Sequence, residues 1–191
     1  MPRIQTLPTS VINRIAAGEV VERPASVVKE LLENALDAGP TQIDVTVEQG
    51  GITLVRVVDD GCGIEADDLL LAVQPHATSK LRVAEDLDQI ATLGFRGEAL
   101  ASIAEVSRLV IRSRTATGTG SRLEVDGGVG SGVAPEGCGL GTSVEVHQLF
   151  GRIPARRAFL RTPATEWSHA ADAFVRTALA HPGIGFSLTH N

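Results

Sequence analysis

The feature that most constrains this chain is an abrupt change of hydrophobic period at Gly39-Pro40. Upstream, Val27, Val28, Leu31, Leu32, Ala35 and Leu36 recur at helical spacing behind Pro24, which suits a first helical turn. Downstream, Ile43, Val45 and Val47 alternate with Asp44, Thr46 and Glu48, and a second apolar run, ITLVRVVDD, follows Gly50-Gly51. The first segment is an amphipathic helix that must bury one stripe. The second is a β-hairpin that must bury one face, so the two halves predict a helix packed on a sheet.

The remaining pattern extends that layer pair. Thr9 or Ser10 caps a short helix through Val11, Ile12, Ile15 and Ala16 that ends near Gly18, and a further short helix spans about Glu65 to Val73. Another begins near Gly97 and runs through Leu100 and Ile103. Strands are predicted at RLVIRSR, SRLEVDG and TSVEVHQL, with glycine-rich turns between them. Pro154 opens a basic helix, PARRAFLRT, and a last helix covers about Glu166 to Ala180. The sum is an α/β (α+β) fold, a two-layer sandwich of helices on a mixed, mainly antiparallel sheet. No internal repeat is present, and 191 residues suit one domain able to bury roughly 70% of its unfolded surface.

Composition removes several function classes. No apolar run approaches the roughly 18 residues needed to cross a bilayer, and MPRIQTLP has no signal-peptide core. Cys62 and Cys138 are the two cysteines, each beside glycines, which fits a reduced, cytosolic protein. A net charge of -6 argues against a surface that binds nucleic acid throughout, and the absence of Tyr argues against base-stacking platforms.

Three features carry candidate chemistry. On the Pro24 helix, Glu30, Glu33, Asn34 and Asp37 share an arc of roughly 100° opposite the leucines and valines. A solvated polar face accounts for them, but Glu30 and Asn34 also lie one turn apart. A carboxylate can orient and deprotonate water there, and an amide oxygen suits magnesium. Asp59-Asp60-Gly61-Cys62-Gly63 ends an apolar strand; it reads as a turn, or as a carboxylate placed to accept from an adenine amino group. In LGFRGEAL, Gly94 and Gly97 flank Arg96 before a helix, with Thr78, Ser79 and Lys80 upstream, so free amides can face phosphates. A capped helix after a loop explains the same residues, and His76 is given no role. No GxxxxGK[ST] and no strand-to-helix GxGxxG is present, so a nucleotide site here is of another kind.

The order RIAAGEVVERPASVVKELLENALDAG, DDGCGI, HATSK, GFRGEALASI and GLGT closely resembles the N-terminal ATPase domain of MutL DNA mismatch-repair proteins. That domain has the Bergerat-type fold shared with DNA gyrase B, heat-shock chaperones and histidine kinases. The similarity runs from about Ile4 to Arg161 and, at a lower level, to the end. GFRGEAL with the AAGEVVERP run favours the MutL branch over a topoisomerase or kinase. The resemblance implies ATP and Mg2+ as cofactors, with Glu30 as general base and Asn34 as metal ligand. It places Asp59 on the adenine amino group and Gly61 and Gly63 beneath the base. Thr78, Ser79 and Lys80 would line the site, Gly94, Phe95, Arg96 and Gly97 would form lid and phosphate amides, and Thr142 would support the nucleotide end of the sheet.

It further implies an ATP-dependent homodimer in the full protein, recruitment of a mismatch-recognition protein and other repair factors, and a bacterial cytosolic location. DNA contact is expected for the full protein, weak or none for residues 1–191. These residues are expected to form a single ATP-binding domain, with the family's second α/β domain and C-terminal dimerisation region absent. A nucleotide-operated binding switch without significant hydrolysis is the alternative. Between Phe150 and Pro154 the chain reads Gly-Arg-Ile, where many relatives have an aromatic and an asparagine. The cluster Arg152, Arg156, Arg157 and Arg161 fits either DNA phosphates or a solvated basic helix.

Overall fold

A computed structural model describes residues 6, 8, 12, 17–18, 20–75, 77 and 97–191. In chain order the elements are α1 (Pro24–Asp37), β1 (Gln42–Glu48), β2 (Leu54–Asp59), α2 (Ala66–Ala72), α3 (Ala99–Val106) and β3 (Arg108–Arg114). They continue with β4 (Ser121–Asp126), β5 (Val129–Pro135), β6 (Gly141–His147), α4 (Pro154–Arg157), α5 (Pro163–Ala180) and β7 (Gly185–His190). Ile12, Ala17 and Gly18 are helical, as expected of the first short helix, whose remaining positions lie outside the described residues. His76, Thr78, Ser79, Lys80, Gly94, Phe95 and Arg96 lie outside them as well.

The seven strands form one sheet in the order β5-β4-β3-β6-β2-β1-β7. Every pairing is antiparallel except β1 with β7. The helices bury one face of this sheet: α1 packs on β2 and α5, and α3 packs on β3 and β4. Val27, Leu31 and Leu32 of α1 meet Val45, Val55, Val57, Leu109, Ile111 and Val146 in a single core. The opposite face is polar. Glu145 there accepts from Arg112 at 2.8 Å and lies 3.6 Å from Arg56, while Arg108 reaches Glu124 at 2.7 Å. The two layers predicted by the change of period are therefore present.

Three expectations need correction. The basic helix expected over PARRAFLRT stops at Arg157. Pro163 forces an extended backbone on Thr162 (ψ 151°), and the Thr162 side chain caps α5 by accepting from the Thr165 amide at 3.3 Å. For the same reason α5 starts at Pro163, not Glu166. Two strands were not foreseen, β5 and β7. Val129–Pro135 is a mostly exposed edge strand rich in glycine, with no alternation to read. Gly185–His190 owes its pairing to β1, more than a hundred residues upstream.

Candidate functional site

One end of the sheet changes character from apolar to polar on its buried face. Reading inward positions across strands, Val57, Val144, Ile111 and Leu123 form one transverse row. The next row is Asp59, Thr142, Ser113 and Ser121, and all four are buried. Four polar side chains lined up across β2, β6, β3 and β4 are costly unless hydrogen-bonded, so their partners define the place.

Asp59 is 6% exposed, and its Oδ1 accepts from the Gly61 amide at 2.9 Å. Burial pushes its carboxyl up to about 6, against the opposing effect of the Gly61 and Thr142 backbone amides. Asp60, its neighbour, is exposed and has a different task. Its carboxylate accepts from the Thr41 hydroxyl and from the Thr41 and Gln42 amides at 2.7 and 2.9 Å, which tie the hairpin base together. The hydrogen bond from the Thr41 hydroxyl holds the Asp60 carboxyl below its ordinary range. Of the two adjacent aspartates, only Asp59 is placed as a buried acceptor.

The loop after Asp59 crosses over the start of β6 and lands on the end of β3. At the crossing, Gly141 has φ 95°, and a Cβ there would lie 2.1 Å from the Asp59 carbonyl oxygen. At the landing, Gly63 has φ 76°, and a Cβ would lie 2.3 Å from the Arg114 carbonyl oxygen. No L side chain fits either position without moving backbone. The Cys62 amide donates to the Ala38 carbonyl at 3.0 Å, which binds this loop to the C-terminal end of α1.

Helix α1 then orders the remaining candidates. Asn34 is one turn before Ala38 and Glu30 is two turns before it, roughly 6 and 12 Å along the axis at 1.5 Å per residue. Both are half-buried, and Glu33 beside them is buried with Lys29 Nζ 3.3 Å away. The polar side of α1 is thus not merely solvated. Gly97, φ 62°, precedes the N-cap Glu98 of α3. Among the described site residues, Asp59, Gly61, Gly63 and Thr142 come together at one sheet end, and Asn34 and Glu30 follow along α1. Thr78, Ser79, Lys80, Gly94, Phe95 and Arg96 lie outside the described residues.

Sequence reading missed Ser113. Its signal was available: Leu109, Ile111 and Ser113 are the inward positions of β3, and a serine closes an otherwise apolar face. The arginine cluster also divides. Arg156 turns inward, its Nη1 donating to the Gly18 and Val21 carbonyls at 3.0 and 3.2 Å with the guanidinium 5.7 Å from the Phe150 ring centroid. Arg152 pairs with Asp126, and Arg157 and Arg161 stand exposed with no ion pair among the described residues. Among the described residues the four arginines therefore do not share one surface.

No helix among the described residues is long and apolar enough to cross a membrane. The chain is 57% identical over 189 residues to the DNA mismatch repair protein MutL of Anaeromyxobacter sp. (strain K), covering 98% of this chain and 31% of that protein. It is 56% identical over 191 residues to MutL of Azotobacter vinelandii, covering 99% and 30%. The chain therefore spans about a third of the length of these curated relatives. Among solved structures, the Aquifex aeolicus MutL ATPase domain complexed with ADP matches with a TM-score of 0.70 and 34% identity over 90% of this chain and 61% of that one. The N-terminal domain of a DNA repair protein matches with a TM-score of 0.79 and 28% identity, covering 94% and 52%. The model of the histidine kinase-, DNA gyrase B- and HSP90-like ATPases matches residues 22–129. With that match over more than half its length, and a sheet that turns polar where a glycine loop crosses it, the chain belongs to the histidine kinase-, DNA gyrase B- and HSP90-like ATPase family.

Proposed function

We propose that this chain binds ATP with its adenine at the Asp59 end of the sheet and its phosphates along α1, as the nucleotide-operated part of a MutL-type mismatch-repair ATPase. The observation that carries this reading is the buried Asp59 carboxylate, held by the Gly61 amide of the loop that follows it. A carboxylate there accepts from an amino group, and Gly61 and Gly63, where a Cβ would strike Ala38 and the Arg114 carbonyl, let the loop pack down on α1 and β3, where it would lie beneath the base. Thr142, paired with Asp59 across β2 and β6, holds the acceptor from below.

From adenine toward phosphates, the order along α1 is Asn34, then Glu30. Among the described residues no group of three or more His, Cys, Asp or Glu is placed to hold a metal. Magnesium retains waters and phosphate oxygens and needs few protein ligands, here the Asn34 amide oxygen. Bound there, Mg2+ would neutralise phosphate charge. Glu30 would orient the attacking water and take its proton, so positioning and charge supply most of the rate. Thr78, Ser79, Lys80, Gly94, Phe95, Arg96 and Gly97 complete the proposed phosphate and lid contacts. The homodimer, the mismatch-recognition and repair partners, DNA contact and the cytosolic setting are proposals for the longer protein of this type.

Calorimetric titration of this chain with ATP, ADP and GTP, with and without Mg2+, tests the reading. Adenine-selective binding strengthened by Mg2+ is expected. Equal affinity for GTP, or no binding at all, overturns it. Turnover measured beside ATP-dependent self-association separates an ATPase from a binding switch.

A further inference from the structure

Besides the backbone bond from Cys62 to Ala38, two side chains of the polar row hold the crossing loop. One is Asp59, whose carboxylate holds the Gly61 amide. The other is Ser113, which is fully buried on a different strand and takes no part in the nucleotide contacts proposed above. Its Oγ accepts from the Ile64 amide at 2.7 Å, donates to the Gly141 carbonyl at 3.0 Å and lies 2.9 Å from Thr142 Oγ1. One hydroxyl therefore joins the far end of the loop, the glycine beneath its middle and the threonine paired with Asp59.

We propose that Ser113 is a positioning residue that fixes the glycine loop at its working height above Asp59 and orients the Thr142 hydroxyl, and so sets adenine selectivity. The inference rests on the nucleotide reading above and deepens it. A hydroxyl has one proton and two lone pairs. With the Ile64 amide filling one lone pair and the Gly141 carbonyl taking the proton, the Thr142 hydroxyl must donate to the remaining lone pair. Thr142 then keeps its own lone pairs facing outward in a fixed sense. Remove Ser113 Oγ and three things loosen together: Ile64 N–H loses its acceptor, Gly141 loses a brace, and the Thr142 proton becomes free to rotate. Alanine has the size to fold there but none of these functions, and no other side chain among the described hydrogen bonds reaches Ile64 N.

The test compares wild type, Ser113→Ala and Ser113→Thr by titration with ATP and GTP, alongside melting curves. Ser113→Ala should weaken ATP about tenfold and lower the ATP-to-GTP preference, because misplacing the loop affects the contact to adenine more than contacts to phosphate. Ser113→Thr, which keeps the hydroxyl, should restore the preference. A residue with a structural role alone would lower the melting temperature and leave the preference unchanged, and that result overturns the proposal. If Ser113→Ala fails to fold, amide hydrogen exchange on wild type decides: Ile64 N–H should be protected and become more so with ATP, whereas fast exchange unaffected by ATP refutes the proposal. The two readings fail separately. Wild type that binds no adenine nucleotide defeats the functional proposal; wild type that binds ATP selectively while Ser113→Ala does the same defeats only the role of Ser113.

Discussion

Replacing Asp59 by asparagine should make the protein more stable and its nucleotide site worse, and the two effects share one cause. Asp59 titrates near 6 in the fold against 3.8 in an unconstrained chain, mainly because it is buried. A raised carboxylate means the folded state holds its proton more tightly than the unfolded one. Stability from this group is therefore fully present below about pH 3.8, falls as pH rises, and is lost above about 6. That rise amounts to a penalty of roughly 3 kcal/mol at neutral pH. Asparagine cannot ionise and keeps an oxygen for the Gly61 amide, though its amino group needs an acceptor of its own, which costs about 1–2 kcal/mol. The expected net gain is roughly 1–2 kcal/mol near pH 7.5, or about 2–8 °C for a domain of this size. Melting curves of both proteins from pH 4 to 8 check this: the gap should open between pH 4 and 6 and close, or reverse, at pH 4. ATP affinity should fall roughly tenfold to a hundredfold, by loss of a charged hydrogen bond. A variant that is less stable by the same amount at every pH, or that binds ATP unchanged, refutes the reasoning.

Wild-type ATP affinity itself should weaken as pH drops through 6, since the protonated Asp59 is a poorer acceptor; affinity flat from pH 5 to 8 would contradict this. In a full-length protein of this type, Glu30→Gln should bind ATP normally and nearly stop hydrolysis, because an amide cannot take a proton from water. Retained turnover in a phosphate-release assay removes Glu30 as the base. Asn34→Ala should abolish the Mg2+ enhancement of binding seen by calorimetry, and unchanged Mg2+ dependence reassigns the ligand.

Elements with local causes were legible in the sequence. Helix α1 has its own apolar stripe, proline start and glycine stop, and the β1–β2 hairpin has its own alternation, so neither needs a distant partner to be recognised. Strand β7 carries only Phe186 and Leu188 as inward candidates, and its identity depends on β1. The site divided in the same way. Asp59 and the glycines form a short run that motif order could place. Ser113 is one letter in an apolar strand, and its meaning comes from Ile64 and Gly141, which folding brings to it from either side in sequence. The arginines were not separable in the sequence for the opposite reason: four residues close in sequence point to three different surroundings.

Strand order also bears on how the molecule comes together. The β1–β2 hairpin and the β3–β4–β5 meander share no ladder; β6 lies between them and joins both. In the sheet the two halves are hydrogen-bonded to each other only through residues 141–147. That closing seam is where Asp59, Thr142 and Ser113 meet. A ligand held across the seam would therefore act as a clasp, drawing the folding equilibrium toward the joined sheet by RT ln(1 + [L]/Kd). Nucleotide binding in this protein would then double as a report that its two halves have been sewn together.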